Sequence, residues 1–295
     1  MPWVSKRVHP SIIRVSCDLT GRHEQWVLLR SDAHHDNPHS DHEKEKADLD
    51  EAMRRKAIIL DLGDFFCAMG GKFDPRRTRK GVTRPEHCEA DDYFDSLVRA
   101  GSKFLRPYAK NIAMMGQGNH ETSVLKHNET DLTQRIIERI NTHEGTRIEH
   151  GKYGGEIHFR LKYHQQQSSL WLNWGHGTGG GGIMSFGTLK VRREASWNPN
   201  ADVIVSGHIH ERWVLETTRK VVSCASGKYA VELKPQWHVR TGTYKEEYGL
   251  GQEGWHVERG APPKPIGAMW MKLRIVQGSY MGTRRTNTVI EFTPT

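Results

Sequence analysis

Cysteine is scarce in this chain. Only Cys17, Cys67, Cys88 and Cys224 occur in 295 residues, widely scattered and without a CxxC pair. That density excludes a disulfide-built scaffold and is expected of reduced thiols in an intracellular protein. His87-Cys88 with Cys67 is the one combination that suggests a small zinc site, and no second close pair accompanies it. Long apolar runs are also missing. No stretch of about 18 apolar residues exists to span a bilayer. Met1 to Ser11 carries basic residues but no apolar core of a signal peptide. A cytoplasmic, non-membrane protein is therefore expected. There is no internal repeat and no low-complexity tract. Acid is in deficit: 35 Asp and Glu face 43 Lys and Arg, for a formal charge of +8. A surplus of cations favours contact with polyanions, because Lys and Arg displace counterions from phosphate backbones. A basic protein that is merely well solvated has the same balance.

What is present is globular. Charged residues make up 26% and hydrophobic ones 36%, over a length that suits one large domain or two modest ones. Ile12–Cys17 and Gln25–Arg30 read as strands around a Thr20-Gly21 turn. Trp26-Val27-Leu28-Leu29 is a continuous apolar run, as expected of a strand buried on both faces. Glu43–Lys56 has helix-forming composition with a weak apolar stripe and reads as a solvated surface helix. Ala57–Leu62 is a second buried strand. Phe65–Cys88 reads as an insertion rich in Gly and basic residues. Helices are expected over Asp91–Leu105, Thr130–Asn141 and Thr188–Glu194. Strands are expected at Ile112–Met115, Glu156–Tyr163, Leu170–Trp174, Ala201–Ser206, Met269–Val276 and Thr288–Phe292, with separate apolar runs at Trp213-Val214-Leu215 and Val221-Val222-Ser223. Strand–helix alternation with late hairpins predicts α/β layers, two sheets inside and helices outside, with the site at the carboxyl ends of the strands.

Five short polar motifs punctuate these elements in order: Asp32-Ala33-His34, Gly63-Asp64, Gly118-Asn119-His120-Glu121, Gly175-His176-Gly177 and Gly207-His208-Ile209-His210. Several follow directly on an apolar strand. Together they supply two Asp, one Asn and four His able to bind metal, and one further His. Asp32-x-His34 and His208-x-His210 would each aim two side chains to one side if the backbone is extended, where side chains repeat every two residues. Each motif alone is weak; their joint order is informative.

In that order and those residue types the chain resembles the calcineurin-like metallophosphoesterases, over about Val27 to His210. The resemblance implies a four-layer αββα sandwich with two mixed central sheets. The resemblance does not extend to the C-terminal third, and the expected organisation is a catalytic core over 1–220 with a β-rich extension over 221–295 as part of the same domain. The resemblance implies two divalent ions, manganese first, with iron, zinc, nickel or cobalt as alternatives. Asp64 would bridge them; Asp32, His34 and His210 would complete one ion, and Asn119, His176 and His208 the other. His120 would give the leaving alkoxide its proton. A bridging hydroxide would attack phosphorus in line. Glu121 would orient or charge-tune a nearby His.

The substrate is less constrained. Asp-Arg-Gly, which follows Gly-Asp in the Ser/Thr protein phosphatases, is replaced by Phe65-Phe66-Cys67-Ala68-Met69-Gly70, which makes that activity less expected. The nuclease branch often has a His soon after Gly-Asp, and none occurs here before His87. The segment Lys72 to Arg84 holds six basic residues, Lys72, Arg76, Arg77, Arg79, Lys80 and Arg84, against one Asp. It is an arm able to follow a phosphodiester backbone, or equally a solvated loop paired with Asp91, Asp92 and Asp95. Gly177 to Gly182 is a cradle for a phosphate without a Walker lysine, or a flexible lid. Trp171, Trp174, Trp197 and Trp213 are expected in the core. A phosphodiesterase or nuclease acting on nucleic acid leads. The alternatives are a phosphomonoesterase or small-nucleotide phosphodiesterase, and a metal-bound nucleic-acid-binding module without turnover.

Overall fold

The computed structural model describes residues 3–21, 23–74, 83–88, 90–179, 184–225, 227–249, 255–258, 260–280 and 283–295. The chain begins with strands β1 (Trp3–His9), β2 (Ile12–Asp18) and β3 (Glu24–Arg30). Helix α1 (His42–Arg55) leads to β4 (Ile58–Asp61). The short α2 (Pro85–Cys88) and α3 (Tyr93–Leu105) precede β5 (Ile112–Gly116). Then come α4 (Asn119–Asn128), α5 (Leu132–Glu144), β6 (Glu149–Lys152), β7 (Gly154–Tyr163) and β8 (Gln166–Gly175). Helix α6 (Val191–Trp197) and β9 (Val203–Ser206) follow. The hairpin β10 (Arg212–Ala225)/β11 (Lys228–Thr241), the short α7 (Trp255–Glu258) and the hairpin β12 (Met269–Tyr280)/β13 (Thr283–Pro294) complete the order.

Two mixed sheets result. One runs β1-β2-β7-β8-β9-β11-β10 and the other β13-β12-β3-β4-β5-β6. In the second, β3, β4, β5 and β6 are parallel, and β12 joins antiparallel to β3. In the first, β2 pairs with β7, and β9 with β8 and β11, in parallel.

Period-2 alternation explains the layering. Val27 and Leu29 point into the core between the sheets, with Ile58, Leu60, Phe159, Leu172, Val203 and Met271. Leu28 and Ile59 point the other way, onto Leu97 of α3 and Ile136 and Ile140 of α5. Both faces of β3 and β4 are covered, so their sequences read as unbroken apolar runs. The far face of the seven-stranded sheet is more open. On β7, Ile157, Phe159 and Leu161 are buried, while Glu156, His158 and Arg160 alternate outward. The short α6, anchored by buried Val191, lies on this side, where its Glu194 bonds Arg240 of β11. The two mixed sheets flanked by helices are the expected architecture.

Several elements depart from expectation in informative ways. The runs Trp213–Leu215 and Val221–Ser223 belong to one strand, β10; between them Glu216, Thr218 and Lys220 are exposed, while Thr217 and Arg219 are half-buried and bonded to His238 and Asp202. Helix α1 is not simply solvated, because Glu45, Asp48, Leu49 and Ala52 are buried. The segment after Asp64 is not a loose insertion at its start: Phe65, Phe66, Cys67 and Ala68 are all buried. Trp174 is core, whereas Trp197 is 67% exposed. α3 and α5 occur where the helical spacing places them, and Asp131 caps α5 by accepting from Gln134 N at 2.9 Å.

Candidate metal centre

All five motifs arrive at one place, where β3, β4, β5, β8 and β9 end. Backbone bonds fasten the loops together. Asp32 N donates to Gly63 O at 3.0 Å, His34 N to Asp64 O at 3.0 Å and His35 N to Phe65 O at 2.8 Å. Gly207 N donates to His176 O at 3.1 Å, joining the last two motifs.

The side chains converge, but not by strand periodicity. Asp32, His34, Asp64, His208 and His210 have φ of 53°, 45°, 52°, 72° and 57°. Both Asp-x-His and His-x-His are therefore built on left-handed turns rather than extended backbone. Such conformations cost on the order of 1 kcal/mol each in non-glycine residues and persist where the surroundings impose them. Gly63, at φ +102°, has no room for a side chain: a Cβ there would sit 2.5 Å from Gln117 C and Gly118 N. This close approach lets the β4 loop lie against the β5 loop.

Two groups of ligating atoms form. Asp32, His34 and His210 place theirs within 4.8 Å of one another, and so do Asp64, His176 and His208. Asn119 Oδ1 joins the second group, 2.7 Å from His208 Nδ1 and 3.2 Å from His176 Nε2. The groups adjoin, with His176 Nε2 3.1 Å from Asp64 Oδ2 and 4.0 Å from Asp32 Oδ1. His176 Nδ1 lies 3.0 Å from Leu62 O, a bond it can make only as donor, which turns Nε2 toward the carboxylates, where a bound ion would take the place of its proton.

The electrostatics describe a centre short of positive charge. Burial alone would lower His176, but Asp64 and Asp32 reverse this and push it up to about 10. Burial would raise Asp64, yet His176 and His120 hold it well below the usual carboxylate range. Burial and His120 hold His34 well below its ordinary value, so it stays a neutral donor. Divalent cations fit these residues. His34 Nε2 and His210 Nε2 face each other at 3.3 Å, and His210 Nε2 is 3.3 Å from Asp32 Oδ1. Asp32 Oδ1 and His34 Nδ1 are buried without a hydrogen-bond partner among the described residues. Mixed imidazole and carboxylate donors suit transition metals better than calcium or magnesium.

His120 stands at the rim, its side chain 14% exposed. Its Nδ1 lies 2.6 Å from Cys67 O, which fixes it as the donor nitrogen and turns Nε2 inward, 3.9 Å from Asp64 Oδ2. Its backbone N–H donates to Asp64 Oδ1 at 2.9 Å.

Glu121 does not orient a histidine. It is fully buried and accepts the backbone N–H groups of Asp64 (3.1 Å), Phe66 (2.9 Å) and Gly118 (2.8 Å). Burial and Asp64 push it up to about 8. It holds the β4 and β5 loops at a fixed spacing.

Sequence reading also misses a buried ionic group behind the site. Arg30 Nη2 bonds Glu45 Oε1 at 2.6 Å, Arg30 Nε is 3.1 Å from Asp61 Oδ2, and His35 Nδ1 is 3.0 Å from Glu45 Oε2. The available signal is an Arg closing a run of buried apolar residues, a position that requires a partner. His35, His42 and Glu45 also cluster. Both Glu45 oxygens are already held by Arg30 and His35, and His42 Nε2 donates to His35 O at 2.7 Å, so this is an ion-pair network. Cys67 groups with His34 and His120, not with His87-Cys88, and burial pushes its thiol up to about 12.

Of the basic arm, Arg84 donates to Ser40 O at 2.9 Å and His35 O at 3.3 Å, which fastens it to the loop after β3. Lys72 lies over the Phe73 ring at 5.5 Å. Arg76, Arg77, Arg79 and Lys80 lie outside the described residues, as do Gly180, Gly181 and Gly182.

Two mixed sheets flanked by helices are the architecture that the resemblance of the motifs to the calcineurin-like metallophosphoesterases implies. No family model and no curated protein matches the chain. Among solved structures it is similar to vacuolar protein sorting 29 of Cryptosporidium parvum, at 13% identity and TM-score 0.37 over 92% of this chain and 99% of that one. It is similar to Vps29 of Entamoeba histolytica complexed with zinc, at 12% and 0.37 over 90% and 99%. A predicted phosphoesterase of Streptococcus pneumoniae TIGR4 matches at 11% and 0.30 over 90% and 98%.

Proposed function

We propose that the chain is a metal-dependent phosphoesterase that holds two divalent ions, with manganese preferred, and cleaves phosphodiesters in nucleic acid. The observation that carries this is the convergence of Asp32, His34 and His210 beside Asp64, His176 and His208, with Asn119 between His176 and His208. Asp64, flanked by His176 and His120, is the natural ligand to share between ions. Bound there, such ions make water acidic near neutral pH and offset charge on the phosphoryl oxygens. The chain supplies the rest. Asn119 and the imidazoles would hold the ions, the close approach at Gly63 holds two of the ligand loops together, and His120, with Nδ1–H bonded to Cys67 O, would give the Nε2 proton of its doubly protonated ring to the departing alkoxide.

A diester substrate is supported by the formal charge of +8 and by the basic segment Lys72 to Arg84. The test compares bis-p-nitrophenyl phosphate with p-nitrophenyl phosphate in manganese. Faster cleavage of the diester is expected; cleavage of the monoester alone would make the enzyme a phosphomonoesterase. Neutralising Arg76, Arg77, Arg79 and Lys80 should lower the salt slope of DNA binding by about 0.9 for each phosphate that is no longer neutralised. An unchanged slope removes the segment from the interface.

A further inference from the structure

Beside the metal centre lies a small cavity of about 70 Å³, lined in part by Gly177, Thr178, Lys190, Glu194, Gly207 and Arg240. Its inner wall is cationic. Arg240 is only 2% exposed, a position a guanidinium rarely occupies without several partners. Its Nη2 bonds Glu194 Oε1 at 2.8 Å, and its carbon centre stands 4.9 Å from the Trp213 ring. Lys190 Nζ donates to the Thr178 carbonyl, and no carboxylate pairs with it among the described residues. Two cations therefore face one carboxylate, leaving the pocket with net positive charge. Gly177, at φ +109°, and Gly207 make walls without side chains, and they directly follow His176 and precede His208. The cavity thus shares its wall with the second group of ligands.

We infer that this cavity receives a second phosphate of the substrate, adjacent in the chain of esters to the phosphate being cleaved. The inference rests on the phosphoesterase reading for its consequence, though not for the binding itself. A phosphate has the charge that Arg240 and Lys190 attract, and guanidinium and ammonium groups are its usual partners. Glu194 holds the guanidinium against Trp213 and so presents it in one orientation. The substrate class would be a chain or nucleotide carrying at least two phosphates, in preference to a simple diester.

The experiment has two arms. In the first, inorganic phosphate is titrated calorimetrically into metal-stripped protein. One site is expected. Lys190→Gln should weaken it tenfold or more, Arg240→Gln at least as much, and His120→Ala should leave it within twofold. No binding by the wild type, or weakening by His120→Ala and not by Lys190→Gln, overturns the inference. Lys190 is only partly buried, so its variant decides the matter even if Arg240→Gln does not fold. In the second arm, the p-nitrophenyl ester of thymidine 5′-phosphate is compared with the same ester bearing a 3′-phosphate. The wild type should have at least tenfold lower KM for the doubly phosphorylated ester, and Lys190→Gln should abolish that ratio. Equal KM values for the two esters would overturn the inference. Absence of all turnover would sink the phosphoesterase reading, and the calorimetric arm would still stand or fall alone.

Discussion

His120 is the residue whose role is most open to direct trial. It sits at the mouth, bonded through Nδ1 to Cys67 O, and belongs to neither ligand group that holds Asp32 and Asp64. His120→Ala should slow turnover by about a hundredfold or more, with metal content retained, because its bond to Asp64 through the backbone N–H does not need the ring. Full activity in the variant would remove it as proton donor. At this scale the sequence is unusually legible. Asp32, His34, Asp64, Asn119, His120, His176, His208 and His210 all meet where the motif order places them. What the sequence hides is the local backbone. Nothing in Asp-x-His announces two left-handed residues, because that conformation is imposed by bonds to Gly63 O and Asp64 O from a different loop.

Among the elements, β3 and α1 carry the least visible part of the design. Arg30 at the end of β3 and Glu45 in α1 are both buried, and they brace the strand that delivers Asp32. Burial would raise Glu45, but Arg30 and His35 hold it down to about 2, from an ordinary 4.5. A carboxyl depressed on folding stabilises the protein above its unfolded value and loses that contribution as pH falls toward the folded one. The loss attributable to Glu45 therefore runs from pH 4.5 down to about 2. Asp61 has the opposite sign: burial raises it to about 6 despite Arg30, so its contribution fades as pH rises through that value. Glu45→Gln leaves Arg30 with a single carboxylate and should cost about 3–5 kcal/mol near neutrality. Its urea midpoint should also fall less steeply below pH 4.5 than that of the wild type. Parallel pH curves would show that Glu45 is not the titrating group. Helix composition alone gives no sign of this, since Glu45 looks like any other solvated charge until the tertiary partner across the layer is known. β10 shows the same limit in reverse: the polar residues Glu216 to Lys220 divide two apolar runs that the ladder with β11 unites.

At the scale of the whole molecule, two sheets back onto one apolar core and present the ends of β3, β4, β5, β8 and β9 to a single mouth. Among the described residues no helix is long and apolar enough to cross a membrane. The layered architecture is readable from the buried-strand runs, because only strands covered on both faces lose their alternation. How the two late hairpins attach is not readable, since β11 joins β9 and β12 joins β3 through register that no local pattern encodes. The central claim is that this mouth holds a pair of divalent ions sharing Asp64. Equilibrium dialysis against manganese followed by elemental analysis tests it most directly, on the wild type and on Asp64→Asn. Two ions per chain in the wild type, and loss of affinity at both in the variant, are predicted. A wild type that binds none, or a variant that still binds two with unchanged affinity, would contradict it.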